Sequence, residues 1–370
     1  MSSVHRGFSV ALVSGFLAGA CSTPAARSAV PARVAADLTL AESAAAARVS
    51  GEAGDAGVFA KRVAARADTM DTSLRWYIAA GRVGEALRFA TAMSPFWRTQ
   101  GRIDAGRRLM AAVLALPAPA DQRRARARAW YEAGVLAFRQ RDQEASRSAN
   151  EQSLLIATAI ADTAAIAQAL VGLSRVELRV GAYDSVRAHA GEASALLTQT
   201  GDTLGAIGPS HMVAAVNRMT GRDSDAASLY ERTLARYRSL SDGAGVAGEL
   251  MNLGYVRLHQ GRRADARGLF RDAVGRFAVL HDEVSQEFMV AAFAAVAADA
   301  GDASRAAQLY GAARKLLAAS GVTLDPDDQY ELDRYSAKAR KQLGDAAYAR
   351  ALAQGEALSL VDALRLAQTI

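Results

Sequence analysis

The stretch Gly243–Asp282, GAGVAGELMNLGYVRLHQGRRADARGLFRDAVGRFAVLHD, decides the fold. Two amphipathic segments flank Gly261, which is followed by the polar pair Arg262-Arg263. A glycine there supplies the left-handed backbone that ends one helix before the next begins. Stepping outward by forty residues finds Gly181, Gly221 and Gly301, with Gly101 and Arg141 on the same grid. A second comb, Asp162, Asp202, Asp242 and Asp282, runs in step with it. Two independent marks at one period predict internal repeats. The aspartates precede each new copy, where a carboxylate can accept from the amide groups that a first helical turn leaves unpaired.

Alanine is abundant, β-branched runs are scarce, and no alternation of strand type persists between turns, so the local preference is helical throughout. Hydrophobic residues at 51% with aromatics at only 6% suit helices packed through Ala, Leu and Val. One helix pair buries too little by itself, so stacked copies must share a continuous core. The expected fold is all-α, an α-solenoid of stacked antiparallel helix pairs with about 40 residues per repeat. A single irregular helical bundle with an accidental period is the alternative.

The skeleton Leu253, Gly254, Gly261, Ala266, Phe270 and Ala273 resembles the tetratricopeptide (TPR) pattern. That resemblance implies that Gly254, Ala266 and Ala273 let two helices approach, and that Phe270 fills the space left between them. Steps of forty carry the small positions to Ser146, Val186, Ala226 and Ala306, and to Ser153, Ala193, Thr233 and Ala313. The filling position reads Asn150, Ala190, Tyr230, Phe270, Tyr310, so an aromatic is kept only in the last three copies. Leu74-Arg75-Trp76-Tyr77, Phe96 to Arg102, Gly106 to Leu109 and the final Gly344 to Leu360 resemble the helical-repeat module C-terminal to the ATPase in large bacterial signalling regulators. No G-x-x-x-x-G-K-[ST] loop occurs, so an ATPase role is not carried over. Nor is a DNA-reading role expected, because no residues follow Ile370 to form a helix-turn-helix domain.

The N-terminus differs from the rest. His5 and Arg6 precede an uncharged apolar run from Gly7 to Ala20, and Leu17-Ala18-Gly19-Ala20-Cys21 closes it. This is the form of a secretory signal, too brief to span a bilayer comfortably. Its end resembles the lipobox of bacterial lipoproteins, which implies acylation of Cys21, the sole cysteine. A cleaved signal with an incidental Cys, an uncleaved anchor and a misplaced start codon are the alternatives. Ser22 rather than Asp after the Cys implies, in that family, the outer membrane facing the periplasm rather than the inner. The expected organisation is a signal peptide over 1–20, a lipidated tether over 21–37, a helical cap over 38–120, five repeats over 121–322 and C-terminal capping helices over 323–370.

Chemistry is sparse. His5, His189, His211, His259 and His281 include no pair at the one-turn spacing of a helical zinc site, and no G-x-S-x-G elbow appears. His281-Asp282-Glu283 reads as a cap between copies, and Asp325-Pro326-Asp327-Asp328 reads as a helix start with Asp325 as its cap. No enzyme activity, cofactor, metal or small-molecule substrate is therefore expected. Lys and Arg total 44 against 38 acids, and the lysines are only Lys61, Lys315, Lys338 and Lys341, so the positive charge is almost all guanidinium.

In stacked helix pairs the first helix of each copy lines the concave side. Its outward residues read Arg128, Tyr131 and Arg139, then Arg175 and Arg179, then His211 and Arg218, then Met251, Tyr255 and His259. Arginine forks with aromatic walls suit an acidic or C-terminal segment of a partner protein or peptide. An ordinary solvated face of an Arg-rich protein gives the same pattern. For an exported chain, nucleic acid is a disfavoured partner of the run Gln122–Arg128, and anionic lipid head groups are favoured. The functional expectation is a non-catalytic binding scaffold of the cell envelope. A cytoplasmic regulatory module working with a separate ATPase, cyclase or transcription regulator is the alternative.

Overall fold

The computed structural model describes residues 29–50, 53–117, 119–322 and 324–370. The signal segment and Cys21 lie outside the described residues. Five helices come first: α1 (Ala32–Ser50), α2 (Ala53–Ala65), α3 (Ala67–Ala79), α4 (Val83–Thr99) and α5 (Ile103–Leu114). Five antiparallel pairs follow: α6/α7 (Arg123–Arg139, Gln143–Ala159), α8/α9 (Thr163–Arg179, Tyr183–Gln199), α10/α11 (Ile207–Met219, Asp223–Ser239), α12/α13 (Gly243–His259, Arg263–Val279) and α14/α15 (Glu283–Ala300, Ala303–Ala319). The chain ends with α16 (Pro326–Leu343), α17 (Asp345–Glu356) and α18 (Leu360–Ala367). No strand occurs among the described residues, and the fold is an α-solenoid.

Punctuation is denser than the forty-residue grid implied. Positive φ recurs every twenty residues, at Gly81 and Gly101, then from Arg141 through Ala161, Gly181, Gly201, Gly221, Ser241, Gly261 and His281 to Gly301 and Gly321. Seventeen-residue helices separated by three-residue turns set this half-period, so turns within and between pairs are of one kind. Asp162, Asp242 and Asp282 cap as expected, accepting from the amides of Ala165, Gly245 and Ser285 at 3.2, 2.9 and 3.0 Å. Four of the left-handed turns lack glycine, and Ala161, at φ 52° and exposed, is the plainest case. A Cβ in that region costs about 1 kcal/mol. Ala161→Gly is therefore expected to stabilise the fold by about 1 kcal/mol in urea unfolding, whereas Gly181→Ala, at φ 75°, should cost a similar amount.

Small residues set the spacing of the helices. A Cβ on Gly254 would lie 2.3 Å from the ring of Phe270, which fills its pair and stacks edge-on against Tyr255 and Phe293. Tyr230, Phe270 and Tyr310 are all buried, and in the earlier copies Asn150 and Ala190 are buried at the same place. Asn150 stands between Gly134 of α6 and Gly172 of α8, where a Cβ on either glycine would strike its amide. Consecutive first helices touch, α6 with α8, α8 with α10 and α12 with α14, while consecutive second helices spread apart. The first helices therefore form the inner face.

The N-terminal helices pack directly on this array through α4, α5 and α6. Tyr77, Phe89 and Trp97 are core residues, with Trp76 and Phe96 packed against them. Helix begins at Ala32, inside the stretch expected to be tether, because Val34, Leu38 and Ala41 offer a buried stripe. Asp37 in that stretch is fully buried, accepting from Ser73 at 2.6 Å and paired with Arg66. Gly54 and Gly57 fall within α2.

Candidate functional site

The expected groove residues separate into two groups. In the C-terminal half the inner face is covered by α16, which packs on α10, α14 and α15. Its inward stripe, Asp327, Glu331, Tyr335 and Ala339 at one-turn spacing, is buried. Arg218 of α10 is fully buried and donates from Nη1 to Asn252 Oδ1 and from Nη2 to Asp327 Oδ2, both at 2.9 Å. Its Nε lies 3.3 Å from Glu331 Oε1 without a hydrogen-bonding line, so that attraction is Coulombic. Tyr230 and Tyr255 present their rings to the same guanidinium at 5.9 and 5.3 Å. His259, its side chain 1% exposed, bridges Asp223 at 3.2 Å and Glu331 at 3.0 Å.

His211 joins Glu249 at 3.0 Å, and Met251, half-buried, packs against the main core. Arg218, Tyr255 and His259 are thus tied up by the chain itself. The acids at the start of α16 are correspondingly more than a helix start. Asp325 makes no side-chain capping bond and instead accepts from Arg179 Nη2 at 2.8 Å, while Asp327 is held by Arg218. Among the described residues no group of His, Cys, Asp and Glu is placed to hold a metal ion.

Burial and the Asp327 charge push the carboxyl of Asp328 up to about 7, against the pull of Arg218. For His211 burial acts downward, but the hydrogen bond and charge of Glu249 outweigh it and its pKa is raised. Both groups hold their protons more tightly folded than unfolded, so both make stability fall as pH rises through the neutral range. Thermal unfolding is expected to shift downward between pH 5 and about 8, and Asp328→Asn should flatten most of that slope. A slope unchanged by the substitution would assign the titration elsewhere.

The N-terminal half is open. Arg128 and Tyr131 line a cavity of ≈ 790 Å³ between α1, α4 and α6, with Arg88, Arg124 and Glu132 on its walls. Arg139 and Arg175 line a smaller one of ≈ 190 Å³ whose base is Ser146 and Asn150, with Arg98 on its third side. Arg98 Nε and Asn150 Oδ1 are both buried without a hydrogen-bond partner. Burial pushes the Glu132 carboxyl up, although Ser94 hydrogen-bonds it and Arg98 and Arg175 lie near. Arg175 reaches Tyr131 Oη at 3.5 Å, and Arg179 lies over the Phe138 ring at 5.4 Å. Arg98 and Glu132 had no place in the repeat reading: Arg98 belongs to α4, outside the repeats, and Glu132 is an acid within a basic pattern. Asn150 was legible as an oddity at the filling position.

No family model matches the chain, and no curated protein matches its sequence. Solved structures of similar fold include a Rap protein complexed with Competence and Sporulation Factor, with TM-score 0.56 and 13% identity over 91% of this chain and 99% of that one. The apo form of RapI has TM-score 0.53 and 12% identity over 87% and 85% of the two chains. BtubC (BKLC) from P. vanneervenii has TM-score 0.51 and 15% identity over 58% and 92%. At these identities the likeness is one of fold, and the chain is a TPR-like helical-repeat solenoid.

Proposed function

We propose that the chain is a non-catalytic scaffold whose open N-terminal groove holds an acidic segment of a partner protein. The observation that carries this reading is the acidic N-terminal half of α16, already seated on the other half of the array, with Asp325 on Arg179 and Asp327 on Arg218. The same inner surface continues past Arg179 to Arg175, Arg139 and Arg98, which together line a cavity. The Rap protein solved in complex with Competence and Sporulation Factor lends the fold a precedent for holding a ligand. Charge-assisted bonds from several forks suit a carboxylate-rich partner, including a chain terminus.

Glutamate-rich peptides labelled for anisotropy are expected to bind with an affinity that falls as salt rises. The triple variant Arg98→Ala, Arg139→Ala, Arg175→Ala should weaken that binding by roughly ten-fold or more, at unchanged helicity. Equal binding by variant and parent would remove the groove from the account. Location rests on the N-terminal sequence: a signal over 1–20 followed directly by Cys21 supports a lipid-anchored protein of the outer membrane facing the periplasm. Among the described residues no helix is long and apolar enough to cross a membrane. Intact mass of protein from its native host tests the anchor, and an unprocessed chain in the cytosol would favour the regulatory-module reading.

A further inference from the structure

A second cleft lies on the opposite, outer side of the array, where the regular spacing lapses. The first helices α8, α12 and α14 each begin directly after a three-residue turn, but α10 begins only at Ile207, with seven residues between it and the end of α9, although Asp202 still accepts from Gly205 N at 2.8 Å. Pro209 is the cause. A helix starting at residue 203 would place it in the interior, where it has no N–H for the carbonyl of Gly205 and its ring would meet that carbonyl. Starting at Ile207 keeps Pro209 within the first turn, where proline is tolerated.

The missing turn leaves an open cleft of ≈ 790 Å³ between α9 and α11, floored by α10, within the size range of small-molecule sites. No carboxylate lines it, and Arg232 and Arg236 of α11 do. Arg236 Nε is buried without a hydrogen-bond partner. Forty residues on, the same two positions are Asp272 and Arg276, which pair at 2.7 Å. In α11 the acid of that pair is replaced by a second arginine, so two like charges stand one turn apart, an arrangement that destabilises a helix unless an anion lies between them.

Ala195, Ala206, Ile207, Val213 and Leu229 make part of the lining apolar, and the remaining polar lining is hydroxyl and amide. Gln199 and Thr203 have free donors, and Ser194 and Ser210 share one bond at 2.7 Å, which leaves one hydroxyl proton to spare. Thr198 and Thr233 already donate to backbone carbonyls, so they offer lone pairs. Two guanidiniums can divide the terminal oxygens of a dianion, and the hydroxyl lining suits a polyol.

We propose that this cleft binds a small polyol phosphomonoester, with Arg232 and Arg236 on the phosphate and Gln199, Thr203 and Ser194 on the hydroxyls. The site is separate from the inner groove and independent of the function proposed for it. Isothermal titration of the full chain with glycerol 3-phosphate, inorganic phosphate and glycerol tests it. Glycerol 3-phosphate is expected to bind, inorganic phosphate more weakly and glycerol not at all. Arg232→Asp, which reinstates the acid–base pair of the next repeat, should weaken binding by roughly ten-fold or more while leaving the melting temperature unchanged or higher. Thr203→Val should weaken glycerol 3-phosphate but not inorganic phosphate. Vesicles of phosphatidylcholine with and without phosphatidic acid separate the two sources of such a group. Binding in solution assigns a soluble ligand, and binding only to phosphatidic acid vesicles assigns a lipid head group. Binding to neither, or binding that Arg232→Asp leaves intact, overturns the proposal.

Discussion

Replacing Arg218 by methionine is expected to cost about 3–5 kcal/mol of stability, the usual penalty for removing one partner of a buried ion pair. The guanidinium is fully buried and faces Asp327 at 2.9 Å and Glu331 at 3.3 Å. Its loss leaves Asp327 and Glu331 enclosed with only His259 still bonded to Glu331, and the chain must either protonate a carboxyl or detach α16. The triple variant Arg218→Met, Asp327→Asn, Glu331→Gln should therefore recover most of the loss, because it removes the stranded charges together. Urea unfolding of the three proteins measures this directly. A cost below about 1 kcal/mol for Arg218→Met would mean that water already reaches the network. Hydrogen exchange adds a local readout: protection should vanish first in α16, which this network holds to α10.

Gly355→Val is the second large effect, at about 3 kcal/mol or somewhat more. A Cβ on Gly355 of α17 would stand 1.8 Å from the carbonyl oxygen of Gln308, and one on Gly311 of α15 would stand 2.0 Å from that of Leu352. Two helix backbones therefore touch, each through the other's missing side chain. Elsewhere a clash can be relieved by a side chain that swings away, but here the opposing atoms are backbone and whole helices must part. Gly268→Val is the control, since nothing lies within 4 Å of a Cβ there and its effect should be small. If the two substitutions cost the same, close approach is not what holds α17 in place.

Much of the fold was legible because its determinants are local. Turn residues, aspartate caps and apolar stripes act within one or two helical turns, so they print a period on the sequence. Even so, half of the period was hidden. Ala161, Ser241 and His281 adopt the left-handed turn without glycine, and residue types that rarely do so give no signal when they do. The groove was half legible. Arg128, Tyr131, Arg139 and Arg175 lie on the open inner face, whereas Arg218, Tyr255 and His259 are enclosed. Periodicity places a residue on a face but says nothing of what covers that face.

The sequence by itself determined that this chain is a stack of helix pairs, where the glycine-marked turns fall, and which side of the stack is basic. Only the tertiary structure decided that half of that basic side is occupied by α16. Arg218 and Asp327 are 109 residues apart, and no repeat, cap or stripe links positions so distant along the chain. Their pairing depends on how far the array curves before α16 returns across it, a quantity summed over every helix packing and written in no single segment.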